Sequence, residues 1–135
     1  MIQNTKLYRP GPAGALIDEY ERTLRDLQGL LRSLSSDEYV RIANPDSPDP
    51  DCLSIQTVMR HVVSSGYGYA TSIRKAIGVE GDRPEIPLLS LEESISKLDQ
   101  MFEYSVGTFE GRWNMTEDEM GMTPIKTRSP GRSGR

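Results

Sequence analysis

The most restrictive feature of the sequence is a long apolar stripe in its second half. Its seven large apolar residues follow at spacings of four, three, four, four, three and four: Leu91, Ile95, Leu98, Phe102, Val106, Phe109 and Trp113. At about 100° per residue, this spacing places them along one face of a helix. Ser90 with Glu93 three residues later is a capping box, which marks a helix start. We therefore predict a helix over residues 90–113 with one buried face.

Two further segments show helical periodicity. A leucine-rich stripe predicts a first helix over residues 13–34, with these residues buried: Leu16, Tyr20, Leu24, Leu27, Leu31 and Leu34. Residues 54–78 predict a second helix, and its buried face is assigned to Ile55, Val58, Met59, Val62, Tyr69, Ile73 and Ile77. Strand-like alternation of useful length is absent from the sequence. The prediction is an all-α, up-down helical bundle over residues 13–121, with an extended lead-in (1–12) and a basic flexible tail (122–135).

Composition limits the functions open to such a bundle. A chain of 135 residues with 36% hydrophobic and 27% charged residues fits one soluble domain. Residues 1–121 carry 12 basic and 20 acidic side chains, a net charge of −8, which argues against nucleic acid as a partner. The sequence contains neither an apolar run long enough to span a membrane nor a secretory signal, and its single cysteine fits a reducing cytoplasm. We expect a cytoplasmic protein.

The second helix carries the only histidine, His61. Small residues share its flank and leave room for a metal, a small ligand or a neighbouring helix to approach the ring: Ser54, Ser65, Gly68 and Ser72. Tyr67 and Tyr69 are candidates to line a pocket near the imidazole. Of the two, the periodicity places Tyr69 on the core face and Tyr67 on an exposed side.

A single cysteine and an acidic loop are two further candidates for chemistry. Cys52 lies at a loop-to-helix junction, where a helix N-terminus can lower a thiol pKa. His61 is nine residues away, too far along the helix to act as its base, so we expect an incidental cysteine. The acidic, proline-rich loop over residues 43–52 lacks the ligand spacing and the glycine of a calcium loop, and we interpret it as a connector.

The segment SIQTVMRHVVSSGYGYATSIR resembles the second helix of the DinB-like (YfiT-like) four-helix-bundle proteins. In that family a serine opens the helix, a histidine follows two turns later, and an aromatic stretch comes next. Ser54, His61, Tyr67 and Tyr69 match those positions. The resemblance extends over residues 13–128 and includes the LSSDEY turn and the RWNMTEDEM segment. It implies a four-helix bundle.

The resemblance also implies a divalent-metal site, zinc or nickel, made by three histidines. His61 matches one ligand, and the other two lie four residues apart on the family's fourth helix. Characterised relatives include transferases that activate a low-molecular-weight thiol. This sequence departs from the pattern, because His61 is its only histidine and the residues after Arg128 read SPGRSGR. We expect that the fourth helix is lost or replaced by the tail and that the three-histidine site is incomplete.

Two functions follow as hypotheses. One is a metal-dependent, thiol-transferase-type protein with a small-molecule or thiol ligand, inactive in this form. The other is a non-enzymatic helical interaction module. In either case a missing helix leaves an apolar face uncovered, which predicts a homodimer or poor solubility.

Overall fold

The computed structural model describes residues 8–116 and 118–120, which form helices and no strands. The four helices are α1 (Gly11–Arg32), α2 (Ser36–Val40), α3 (Ile55–Ala76) and α4 (Leu91–Phe109), with a 3-10 turn over Pro50–Cys52. The predicted all-α class is confirmed, and the three predicted long helices correspond to α1, α3 and α4. Helix α1 begins at Gly11, inside the predicted lead-in, and the predicted tail lies outside the described residues. No helix in the described part of the chain is both long and apolar enough to cross a bilayer.

Serine caps begin three of these helices. The side-chain oxygens of Ser35, Ser54 and Ser90 each accept a hydrogen bond from the backbone N–H three residues later. In each case the side chain at that later position accepts a hydrogen bond from the serine N–H in return. The sequence predicts the boxes at Ser35 and Ser90. The box at Ser54 corrects its assignment to an open flank, because this buried serine is the cap of α3.

Helix α4 ends at Phe109, four residues before its predicted end. Gly111 has a φ of 78°, a left-handed conformation that glycine adopts without steric cost and that ends the helix. Trp113 therefore lies beyond the helix, and its carbonyl accepts a hydrogen bond from the N–H of Ala13 at 2.9 Å. That bond satisfies one of the free N–H groups in the first turn of α1.

Helix α4 lies between α1 and α3, which contact each other little. Two contacts fix the direction of α3: the Gln56 amide donates to the Leu89 carbonyl at 3.0 Å, and the hydroxyls of Thr71 and Tyr104 are 2.8 Å apart. Both pairs are 33 residues apart in sequence, so α3 and α4 run parallel. A crossover over residues 77–90 returns the chain to the start of α4.

Helix α1 runs antiparallel to α4. Near its end, the Gln28 amide donates to the Ile95 carbonyl at 2.9 Å, whereas near its start Ala13 bonds to Trp113. The order of the long helices is therefore one up and two down. The predicted alternation of direction is wrong at the step from α3 to α4, where a crossover replaces the short turn that alternation requires.

The core lies along both sides of α4. On the α3 side, the buried Met101 packs where Gly66 has no side chain, and a Cβ there would overlap its sulfur. On the α1 side, the ring of Phe102 meets Tyr20 edge-on, with centroids 5.8 Å apart, and the Arg25 guanidinium lies 5.6 Å above it. These contacts leave one face of α1 and one face of α3 uncovered.

Candidate functional site

An apolar groove of about 760 Å³ runs between α1 and α3. Ser105 and Phe109 of α4 form part of its lining. Its other apolar lining residues come from α1, α3 and the last described turn: Leu16, Ile17, Tyr20, Tyr69, Ala70, Ile73 and Met120. We call this surface the α1/α3 groove. It occupies the position at which a further helix would contact both α1 and α3.

The rim of the α1/α3 groove is apolar and exposed. Leu16 is 41% exposed and Tyr69 is 74% exposed. Ile55 and Val58, in the first turn of α3, are exposed as well. All four were predicted to be buried, and that prediction is wrong for the described residues. On α3, Ile55, Val58 and Tyr69 lie on one helical face outside the core, and of these three Tyr69 lines the groove.

The predicted positions of the two tyrosines are reversed. Tyr67 is buried, and its ring packs against Tyr104 with centroids 5.2 Å apart. Burial raises the pKa of the Tyr67 phenol. Residues two apart on a helix point about 200° apart, so burying Tyr67 places Tyr69 outside the core. Tyr69 lines the groove. Neither tyrosine lines the depression in which His61 lies.

His61 lies in a second, polar depression of about 660 Å³ between α3 and the crossover. We call it the histidine cleft, and eight residues line it: Asp51, Arg60, His61, Ser64, Arg83, Pro84, Glu85 and Ile86. The imidazole is 60% exposed. Its Nδ1 lies 3.3 Å from Oδ2 of Asp51, which also pairs with Arg60 at 3.7 Å. One carboxylate therefore orients both neighbours.

The other imidazole nitrogen contacts Ser65. His61 Nε2 lies 3.4 Å from the Ser65 hydroxyl one turn later on α3. A carboxylate, an imidazole and a hydroxyl in this spatial order are the groups of an acyl-transfer triad. Ser65 does not line the histidine cleft, so its hydroxyl is not presented to a molecule bound there. The array orients the imidazole and provides no nucleophile to the cleft.

Arg83 reaches the cleft from the crossover. Its Nη2 donates to the Ser64 hydroxyl at 2.9 Å, and its guanidinium lies against α3 at Gly68. A Cβ on Gly68 would be 2.8 Å from Nη1 of Arg83. This glycine, predicted as part of a small-residue flank, therefore makes room for an arginine.

The donor set does not fit a resident divalent metal. Within the described ranges, no three His, Cys, Asp or Glu side chains are grouped so that they could hold an ion. His61 and Asp51 form a pair of two possible ligands, whereas protein sites for zinc supply three or four.

Cys52 has the properties of an unreactive thiol. The thiol is exposed. Partial desolvation is the largest cause of its raised pKa, and the nearby carboxylates of Asp49 and Asp51 raise that pKa further. A raised pKa keeps the sulfur protonated and so reduces its nucleophilicity. The structure places its Sγ 3.7 Å from Asp49 and not beside His61.

Of the predicted pocket residues, the fold brings Ser65 to His61 and places Gly68 under the neighbouring Arg83. Ser54 caps α3, and the tyrosines belong to other surfaces. The residues that sequence reasoning missed are Asp51, Arg60, Ser64 and Arg83. Arg60 and Ser64 could have been found from their positions one residue before and three residues after His61 on the same helix. Arg83 could not, because nothing in the sequence fixes the path of the crossover.

Comparisons with known proteins give no further identification. No family model matches the sequence, and neither a curated protein nor a solved structure matches it. The resemblance to DinB-like proteins therefore stays a prediction.

Proposed function

We propose that this chain is a non-enzymatic helical interaction module that pairs with a second copy through the α1/α3 groove. The observation that carries the proposal is the exposed apolar rim of Leu16 and Tyr69 beside a groove of about 760 Å³. Contiguous apolar patches of this kind on soluble proteins mark contact surfaces. Tyrosine is also among the residues that contribute most to protein interfaces.

The groove asks for an occupant with an extended apolar face. Apart from its prolines, the segment over residues 121–135 holds two large apolar residues, Met122 and Ile125, together with four basic residues. That segment offers less apolar surface than a helix with a full apolar stripe does.

A second copy has such a face, and its dimensions suit a dimer. Helices α1 and α3 each contain 22 residues, a length of about 33 Å. The lining of the groove spans residues 16–23 of α1 and 66–73 of α3. A copy lying along the full length of both helices, each about 10 Å in diameter, would cover roughly 650 Å², close to the area that one partner buries in a standard interface.

The charges beside the groove also suit self-association. Glu19, Arg22 and Asp26 alternate in sign along the exposed side of α1, and they pair with one another in the single chain. A face with alternating charge can meet its own copy, related by a two-fold axis, without gathering like charges. This side of α1 has no uniform charge that would attract a strongly acidic or a strongly basic partner.

The test is the molar mass of the purified full chain in solution, by light scattering and sedimentation equilibrium. A mass of twice 15.1 kDa is expected, and Tyr69→Glu combined with Leu16→Glu should return it to the monomer. Leu88→Glu is the matched control, since Leu88 is an exposed leucine outside the groove. A wild-type monomer at high concentration, or a dimer unaffected by the double substitution, would overturn the proposal.

The metal-dependent alternative has its own measurement. Elemental analysis of the purified chain and of His61→Ala reports whether a metal is held through the imidazole. Near-stoichiometric zinc or nickel that disappears in His61→Ala would favour that alternative over the interaction module.

A further inference from the structure

We propose that the histidine cleft binds a small organic oxyanion, a carboxylate or a phosphate monoester, with Arg83 as its principal contact. This inference goes beyond the interaction module, since the cleft lies on a different flank of α3 from the groove and shares no lining residue with it. Loss of one site would leave the other intact.

Two contacts with α3 position the Arg83 side chain. Its Nη2 is bonded to the Ser64 hydroxyl at 2.9 Å, and its guanidinium occupies the space that Gly68 leaves on α3. Glycine inside a helix costs about 1 kcal/mol relative to alanine. Pro84 follows directly and fixes its own φ, which limits the freedom of the crossover. Arg83 is exposed, and its contacts with Ser64 and Gly68 reduce the freedom that the guanidinium loses when it binds a ligand.

The Arg83 guanidinium has N–H donors that its hydrogen bond to Ser64 does not use. Among residues 8–116 and 118–120, no carboxylate forms an ion pair with Arg83. Arg60, by comparison, pairs with Asp51. Guanidinium presents five N–H donors in a planar fork that matches the oxygens of a carboxylate or a phosphate. The donors that Ser64 does not use are available to such a group.

The size and the lining of the cleft favour an anion with an organic part. Its volume of about 660 Å³ is far larger than an inorganic anion requires. Pro84 and Ile86 add an apolar portion to a lining that is otherwise polar. An anion with an organic part would use both. The cleft therefore favours an organic oxyanion over free phosphate.

Two carboxylates in the lining determine how the proposal can be tested. Asp51 is already paired with Arg60 and His61. Glu85 lines the cleft two residues after Arg83, and it would repel an anion bound there. Removing the positive charge of Arg83 should therefore weaken anion binding, whereas removing the negative charge of Glu85 should strengthen it.

The experiment is isothermal titration of the full chain with phenyl phosphate, benzoate and inorganic phosphate at low ionic strength. We expect at least one organic probe to bind more tightly than inorganic phosphate. Arg83→Gln should weaken that binding by about tenfold or more, as the loss of a charge-assisted hydrogen bond predicts. The stronger of the two organic probes identifies the oxyanion as phosphate or carboxylate.

Three further variants separate the site from a general charge effect. Gly68→Ala keeps every charge but displaces Arg83, so it should weaken binding as well. Glu85→Gln should strengthen it, and Arg112→Gln, an exposed arginine outside the cleft, should leave it unchanged. The proposal is overturned if neither organic probe binds, if Arg83→Gln binds as the wild type does, or if Arg112→Gln weakens binding equally. Circular dichroism of each variant confirms that it is folded.

Discussion

Helices α3 and α4 differ in how much of their surface the fold uses. Helix α4 is packed on both sides, by α1 and by α3, and buries seven residues along its 19. Helix α3, longer by three residues, buries five. Its remaining surface is divided between an apolar flank beside the groove and a polar flank beside His61. An apolar pattern therefore identifies a helix but does not say whether its apolar face meets the core or a surface left open.

The largest effect should separate the core face of α3 from its exposed apolar face. Met59 is buried, and replacing a buried methionine by alanine costs about 2–5 kcal/mol in the free energy of unfolding. Val58, one residue earlier, is exposed, and Val58→Ala should change it by less than about 0.5 kcal/mol. Urea unfolding of both variants measures the difference. Equal losses would mean that the two faces are not distinct.

Glycine substitutions test the contact between α3 and α4. Gly66→Ala places a methyl group on the sulfur of the buried Met101, and overpacking of this kind costs about 1–3 kcal/mol. Gly29→Ala on α1 is the matched control, because nothing lies within 4 Å of its Cβ position. It should stabilise the protein by up to about 1 kcal/mol through helix propensity. Thermal unfolding should shift in opposite directions, and the same direction for both would contradict the close contact.

The assignment of Ser54 gives a prediction of intermediate size. As the cap of α3, Ser54→Ala should destabilise the protein by about 1 kcal/mol, whereas Ser54→Gly should cost only a few tenths. Phenyl phosphate binding to the folded variants should stay as in the wild type. Altered binding with unchanged stability would return Ser54 to the site from which the structure removes it.

The smallest effect concerns the polar contact between α4 and α1. Hydrogen bonds from Gln28 and Arg25 hold the pKa of Asp99 below its ordinary value. A carboxyl with a lowered folded-state pKa stabilises the fold above its unfolded pKa, near 3.9, and this contribution is lost as the pH falls through the folded-state value. Because the side chain is half exposed, solvent screens the contribution to a fraction of about 1 kcal/mol.

Asp99→Asn should therefore flatten the dependence of stability on pH below about pH 4. Asp26→Asn is the control, since Asp26 is exposed and, within the described part of the chain, forms its ion pair with Arg22 of the same helix. Urea midpoints between pH 2.5 and 5 measure both slopes. A control that flattens the slope as much as Asp99→Asn does would assign the effect to general charge.

The sequence predicts the helices better than their faces. On α4, Leu98, Phe102 and Phe109 are buried as their spacing requires, because this helix has neighbours on both sides. On α1, the exposed Leu16 belongs to the predicted stripe and the buried Gln28 does not. Gln28 can be buried because its amide bonds to Ile95 and Asp99, and such partners cannot be identified before the packing is known.

The candidate sites follow the same division. His61 and Ser65 lie one turn apart on a single helix, so periodicity alone brings them together. Arg83 comes from a crossover that the parallel arrangement of α3 and α4 requires, and the glycine and prolines of this segment indicate a connector without fixing its path. Residues on one helix can be placed by counting, whereas residues that meet across a connection depend on its path.

The arrangement of the helices also affects how this protein is synthesised. Helix α1 leaves the ribosome first, yet the helix on which it packs ends at Phe109, some 77 residues after the end of α1 at Arg32. At about 5–20 residues per second, that interval lasts roughly 4–15 s. Helix α3 emerges in the meantime but contacts α1 little, so it does not cover the leucine-rich face. During translation, the first helix therefore depends on α4, or on a chaperone, to keep that face from aggregation.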